Sequence, residues 1–320
     1  MAEIFVIHEN DAWVEPLRAA FAEIGAPFRE WFVDRGALDL RRPPPEGVFY
    51  NRMSASSHTR GHRYAPEHAG AILAWLERHG RTVVNGSRAL ALEISKVAQY
   101  QALARFGIDT PDTIAAVGLE HVAAAADAIG YPVILKHNRA GKGLGVRLLL
   151  SRAAVDEHLA SPGFEEPIDG ITLVQRYVEA PEPFITRVEF VGGRFLYAVR
   201  VDTSEGFELC PADQCRIEAD AASGGFEACP ATAPSEKFRI VEGFQHPLIP
   251  AWERFLAAND IGVAGIEFIV DRQGRPWTYD VNTNTNYNPD AEARAGKHGM
   301  KAIARHLARL LQDRQRARAA

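Results

Sequence analysis

Tyr279-Asp280-Val281-Asn282-Thr283-Asn284-Thr285-Asn286 delivers a carboxylate and a side-chain amide, two residues apart, into an asparagine-rich turn. Alternate residues of a strand share a face, so Asp280 and Asn282 can present two oxygen ligands to one cation. Upstream, Val263 to Val270 reads as a second strand in which Glu267 is the only charged side chain. The turn residues of Asp271-Arg272-Gln273-Gly274-Arg275-Pro276 predict a hairpin that brings Glu267 beside Asp280. Three oxygen ligands that leave room for water and phosphate oxygens suit Mg²⁺ bound with a nucleotide. Each piece also has a plainer reading. An Asp-x-Asn before a loop serves turns through side-chain to backbone bonds, and a lone strand glutamate is usually paired or edge-exposed.

The rest of the chain narrows the field. Its 320 residues suffice for two or three units with ample core. A net charge of −5 and a pI near 6.1 carry no electrostatic footprint for nucleic acid. No apolar stretch approaches the length of a membrane span. The chain opens on a strand-like Glu3-Ile4-Phe5-Val6-Ile7, without the basic and apolar regions of a signal peptide. The odd set Cys210, Cys215 and Cys229 argues against a disulfide framework and for a reducing cytoplasm, and its spacing is not that of a zinc site. From Arg305 to Arg318 the chain is basic, with Ile303, Leu307, Leu310 and Leu311 at helical spacing. This predicts a closing amphipathic helix with a solvated basic face.

Strand and helix patterns alternate through the first ~90 residues and the last part is rich in strands, so the expected architecture is α/β (α+β) in three units, 1–86, 87–172 and 173–320. In the first, strands are expected at Ile4–Ile7, Phe28–Val33, Val48–Tyr50 and Thr82–Asn85. In the second, helices occupy Ala89–Phe106 and the stretch through Ala128, and the strand Pro132–Lys136 runs into a glycine loop. In the third, Phe184–Val191 and Arg194–Val201 are joined by Gly192-Gly193 as a hairpin. From Asp202 to Pro250 the pattern weakens into an irregular segment.

Several residues could carry chemistry. Gly141, Gly143 and Gly145 would let backbone amides approach an anion, with Lys142 adding charge. The loop is neither a P-loop nor a Rossmann fingerprint, because a strand follows it. Lys136 ends an apolar strand, where an ammonium is costly unless it meets fixed negative charge. Lys96 is a second candidate phosphate contact, or a solvated helix residue. Arg187 and Arg200 lie in the two strands of the Gly192-Gly193 hairpin and, if paired, would face one anionic centre. In Tyr50–His58, Arg52 and Ser54 could hold a substrate carboxylate, with His58 and Arg60 nearby, or the stretch is a polar surface loop. His58, His62 and His68 are best read as solvated.

Lys96, Lys136, the glycine loop, Val174-Gln175-Arg176-Tyr177-Val178-Glu179, the arginine-bearing hairpin, Gly265-Ile266-Glu267 and Asp280-Val281-Asn282 together resemble the ATP-grasp superfamily. Within it the chain most resembles the RimK-like carboxylate-amine ligases, over roughly Val83 to Pro289. The first unit resembles the Rossmann-like pre-ATP-grasp domain. The resemblance implies an ATP-grasp fold, with the glycine lid in the second unit and the metal site in the third.

It also implies residue roles. Lys96 and Lys136 would hold the ATP phosphates beneath a lid formed by Gly141, Lys142, Gly143 and Gly145. Gln175, Arg176, Tyr177 and Val178 would meet the adenine edge. The family often has an acidic residue where Ile185 stands, which passes the ribose contact to Glu182. Glu267, Asp280 and Asn282 would bind Mg²⁺, with Mn²⁺ as a substitute, and Arg187 and Arg200 would steady the transferred phosphoryl group. Arg52, Ser54, Asn284 and Asn286 would contact substrate.

The implied reaction joins a small-molecule or peptide carboxylate to an amino acid, such as glutamate, or another amine. It would pass through an acyl phosphate and release ADP and phosphate. Relatives of this kind commonly assemble as dimers or tetramers. Phosphoryl transfer without amide formation, or nucleotide binding without turnover, are the alternatives.

Overall fold

The structure is a computed structural model that describes residues 2–141, 143, 145–204 and 237–319. Cys210, Cys215, Cys229 and Lys142 lie outside the described residues. Three sheets follow one another along the chain.

The first sheet consists of β1 (Glu3–His8), β2 (Phe28–Phe32), β3 (Gly47–Asn51) and β4 (Thr82–Val84). They are parallel and ordered β2-β1-β3-β4. Parallel strands need crossovers, supplied by α1 (Asp11–Ile24) between β1 and β2 and α2 (Ala65–Arg78) between β3 and β4. The ends of α1 follow local rules. The Asn10 side chain accepts from Trp13 N–H at the start, and Gly25 takes the left-handed conformation at the end, with φ 65°. Because β1 is the central strand from which the order diverges, the loops after β1 and β3 meet at the carboxyl ends of the strands, where open α/β sheets bind ligands.

Two helices, α3 (Ser87–Glu93) and α4 (Lys96–Ala104), lead into the second sheet. It comprises β5 (Thr113–Ala116), β6 (Val133–His137), β7 (Arg147–Leu149) and β8 (Thr172–Arg176), antiparallel in the order β5-β8-β6-β7, with α5 (Leu119–Ile129) and α6 (Arg152–Ala160) packed on it. The expected division at residue 172 falls in this strand. β8 pairs with β5 and β6, so it belongs with the second sheet, because its Leu173 and Val174 are buried there.

The third sheet, order β11-β10-β9-β12-β13, is built from β9 (Phe184–Val191), β10 (Arg194–Asp202), β11 (Phe238–Val241), β12 (Val263–Val270) and β13 (Pro276–Asn282). One face packs on α7 (Ile249–Ala258) through Trp252, Phe255, Phe190, Ile266 and Phe268. After α8 (Pro289–Ala295), the last helix α9 (Gly299–Ala319) inserts Ile303, Leu307 and Leu311 into a core shared with Ile4, Val6 and Leu17 of the first layer and Val199 of the third. The closing amphipathic helix read from the sequence thus covers two sheets at once.

Asn85 fixes β4 against the third sheet. Its Nδ2 donates to the carbonyls of Val263 (2.8 Å) and Thr283 (2.7 Å), and its Oδ1 accepts from Gly262 N–H (2.9 Å) and Val263 N–H (3.1 Å). Its φ of 59° is a conformation asparagine adopts more readily than most residues. All four amide valences are therefore used at one buried junction.

Candidate active site

Register in the third sheet gathers the charged residues. Arg187 of β9 stands opposite Glu267 of β12, and Glu267 opposite Asp280 of β13; Glu189, Gly265 and Asn282 form the neighbouring row. Cross-strand partners share a face, so the five side chains project to one side, over Gly265. Two bulges shape this set. Between Glu267 and Phe268 the β12/β13 register shifts by one residue, which puts Asp280 rather than Tyr279 opposite Glu267.

The second bulge overturns an expectation. In β9/β10 the register shifts between Phe195 and Tyr197, leaving Arg187 opposite Val199 and Arg200 opposite Thr186. A one-residue slip moves a side chain to the other face. Arg200 therefore does not join Arg187; its guanidinium lies 4.2 Å from the Phe184 ring centroid and outside the cleft.

The cleft lies between the second and third sheets and reaches the loops of the first. Lys96, Lys136, Arg187, Glu267, Asp280 and Asn282 all line it. Lys96 opens α4, which is capped by the Ser95 hydroxyl and by Asn138 Oδ1, the acceptor for Val97 N–H. Its Nζ is 2.7 Å from Asp280 Oδ1. Burial works against this ammonium, but Asp280, Tyr100 and Glu93 outweigh it and raise its pKa.

Lys136 has a different environment. Its Nζ donates to the neutral oxygens of Tyr100 (2.7 Å) and Gln175 (2.9 Å). Burial first, and then the charge of Lys96, push its pKa down to about 7. This cation is buried beside another cation, an arrangement that a bound polyanion relieves.

Arg187 is held on three sides. Nε donates to Glu189 Oε1 (2.6 Å), one terminal nitrogen to Glu267 Oε1 (3.3 Å) and the other to Thr285 Oγ1, whose hydroxyl donates to Glu189 Oε2 (2.8 Å). Burial raises the pKa of Glu189 and of Glu267 in spite of Arg187. Gly265 makes the space for this guanidinium: a Cβ there would meet Arg187 Nε at 2.7 Å.

Glu267, Asp280 and Asn282 form an oxygen-donor set. Asn282 Nδ2 donates to Glu267 Oε1 at 3.3 Å, and burial together with the Asp280 charge holds the Glu267 carboxyl above its usual range. Two facing carboxylates and an amide oxygen, with no sulfur or imidazole, fit a hard divalent cation such as Mg²⁺.

Gly141 and Gly143 line the cleft, and a Cβ on Gly141 would lie 3.6 Å from Ser56 Oγ. Gly145, with φ 72°, sits against the His137 ring on the neighbouring side. Gln175, Arg176, Tyr177 and Val178 line the opposite wall. The backbone amides of Arg176 and Tyr177 already donate to the Asp112 and Pro132 carbonyls, so neither is a donor for a base edge. Glu182 is exposed in the turn before β9 and does not line the cleft, which removes the ribose contact expected of it.

Ser54, Asn284 and Asn286 reach the cleft, whereas Arg52 lies behind it, bonded to Asn286 and 2% exposed. The expectation of a direct substrate contact at Arg52 is corrected accordingly.

Other lining residues escaped the sequence reading. Glu93 bridges three segments, accepting from Ala55 N–H (3.4 Å), Thr283 N–H (2.7 Å) and the Thr283 hydroxyl (3.0 Å). Burial raises its pKa against those bonds. Trp13, Ser56 and Tyr279 also line the cleft. Glu189 had a legible signal, since it follows Arg187 by two residues in one strand; Glu93 and Trp13, on helices, had none.

Comparison with known proteins agrees with this architecture. Residues 95–187 match the family described as Carbamoyl-phosphate synthase L chain, ATP binding domain. The structure aligns with a RimK domain ATP-grasp protein from Sphaerobacter thermophilus at a TM-score of 0.63 and 19% identity, over 95% of this chain and 99% of that one. The chain has the ATP-grasp fold, which it shares with the RimK domain protein.

Among curated proteins it is 27% identical to human N-acetylaspartylglutamate synthase A over 173 residues, 53% of this chain and 41% of that protein. It is 25% identical to the D-alanine–D-alanine ligase of Chromohalobacter salexigens over 217 residues, 66% of this chain and 63% of that enzyme. The chain thus spans less than two thirds of the length of these relatives. Among the described residues, no helix is long and apolar enough to cross a membrane.

Proposed function

We propose that this protein is an ATP-dependent carboxylate-amine ligase. The observation that carries the reading is the convergence, in one cleft, of Lys96, Lys136 and Arg187 with the oxygen donors Glu267, Asp280 and Asn282 beside the glycine loop. Relatives that join amino acids to carboxylates, by their names, support it.

In this reading ATP lies with its base toward Gln175–Val178 and its phosphates between Lys96, Lys136 and Gly141–Gly145. Glu267, Asp280 and Asn282 would hold Mg²⁺, with Mn²⁺ as a substitute. When bound, the metal neutralises phosphate charge and fixes phosphate oxygens. An oxygen of the acid's carboxylate attacks the γ-phosphorus, and the bond to ADP breaks, giving an acyl phosphate. The amine nitrogen then attacks the acyl carbon and phosphate departs with the electrons of the broken C–O bond; the amine gives up a proton to solvent.

The chain contributes positioning and fixed charge. Arg187, held by Glu189 and Thr285, faces the transferred group, and the glycine loop keeps water from the acyl phosphate. Ser54, Ser56, Asn284 and Asn286 form the end that receives the acid and the amine.

The test is product analysis with ATP, Mg²⁺ and paired acids and amines. ADP, phosphate and an amide are expected only when both partners are present. AMP with pyrophosphate would rule out the acyl-phosphate route, and ADP formed equally well without amine would point to simple phosphoryl transfer.

A further inference from the structure

Arg52 is an arginine, 2% exposed, whose bonded acceptors among the described residues are all neutral. Its terminal nitrogens donate to Asn286 Oδ1 (2.8 Å), the Thr285 carbonyl (3.2 Å) and Met300 Sδ (3.6 Å), and its Nε has no partner among the described residues. A buried guanidinium without a carboxylate is expensive, and its field acts on whatever binds next to it.

A guanidinium can only donate, so the Asn286 atom facing Arg52 is the oxygen. The amide nitrogen of Asn286 is therefore turned away from Arg52. Asn286 lines the cleft beside Asn284 and Arg187.

Resting on the ligase reading above, we infer that Arg52 is a positioning residue. It locks the Asn286 amide with its N–H donors toward the cleft, where they hold the carboxylate of the acid substrate. Its own charge, one amide removed, makes that subsite prefer an anionic acid to the corresponding ester or amide. The substrate touches Asn286, and Arg52 acts through it.

Hydroxylamine converts an acyl phosphate into a hydroxamate, so the acid can be tested without its natural amine. The full chain is assayed with ATP, Mg²⁺, hydroxylamine and a panel of the twenty amino acids, acetate, succinate and citrate. Arg52→Met and Asn286→Ala are each expected to raise the KM for the acid about tenfold or more, with kcat and the KM for ATP nearly unchanged. Because the two residues act as one unit, the double variant should be no worse than the worse single variant. Arg52→Lys, which keeps the charge, should recover part of the loss and serves as the readout if Arg52→Met does not fold. Additive losses, or a KM for ATP that rises in step, would overturn the inference.

Failure of the wild type to give hydroxamate from any acid would instead remove the ligase reading. The inference is then decided on protein labelled with ¹⁵N-asparagine. The Asn286 side-chain signal, located with Asn286→Ala, should move in Arg52→Met and stay in place in the surface variant Arg275→Ala. An unmoved signal in Arg52→Met would overturn it.

Discussion

Gly265 lies directly beneath the Arg187 guanidinium, where a Cβ would come within 2.7 Å of Nε and 2.8 Å of a terminal nitrogen. Arg187 cannot swing away cheaply, because Glu189, Glu267 and Thr285 hold it. Gly265→Ala should therefore displace the charge while the strand pairing survives, at a stability cost of about 1–3 kcal/mol for overpacking. Activity is expected to fall about 10²-fold, as for loss of one fixed electrostatic contact. ADP release and nucleotide affinity measured together would check this, with affinity for ADP largely kept.

Lys136 gives a pH signature. Its pKa of about 7 means the amine is largely neutral above that pH in the free protein, and phosphates beside it would restore the charge. Nucleotide binding at pH 8 should then take up a fraction of a proton, and affinity should weaken as pH rises from 7 to 9. Calorimetry in two buffers of different ionisation enthalpy measures the uptake, which Lys136→Met should abolish. For stability the sign is the reverse of a stabilised lysine. The folded pKa lies below the ordinary 10.5, so the unfolded chain binds more protons between about 7 and 10.5, and stability from this group grows with pH across that window.

Asp280 serves both Lys96 and the oxygen-donor set. Asp280→Asn keeps its volume and removes its charge. Turnover is expected to drop by about 10²-fold or more. Excess Mg²⁺ should recover little of it, and Mn²⁺ titration followed by electron paramagnetic resonance should show weakened metal binding. Near-normal turnover would dismiss the metal assignment.

Asn85→Ala tests the junction between β4 and the third sheet. Four hydrogen bonds, three of them buried, lose their partner at once, for an expected cost of about 3–5 kcal/mol in chemical denaturation. Asn85→Gly relieves the positive φ but not the lost bonds, so it should be nearly as destabilised.

The β12/β13 hairpin was readable because Glu267 interrupts an apolar run and the turn residues lie where a hairpin needs them. Its bulge was not readable, although it delivers Asp280 to Glu267. The companion bulge in β10 shows the cost of that blindness. The tight Gly192-Gly193 turn alone would place Arg200 opposite Ile185, on the face of Arg187, and one extra residue near Leu196 turns it over. Local pattern carries strand identity; packing decides where a ladder slips. Arg52 was visible as a candidate, but its role depends on Asn286, more than two hundred residues away, a relation no local spacing expresses.

The last helix, Gly299–Ala319, supplies part of the core beneath the first sheet through Ile303 and Leu307. A ribosome making this chain therefore releases β1, α1 and β3 long before their covering exists. The amino-terminal layer must wait, with Ile4, Val6 and Leu17 incompletely buried, until the carboxyl-terminal helix emerges. Removing that helix should leave nascent-like, chaperone-bound protein instead of a smaller folded one.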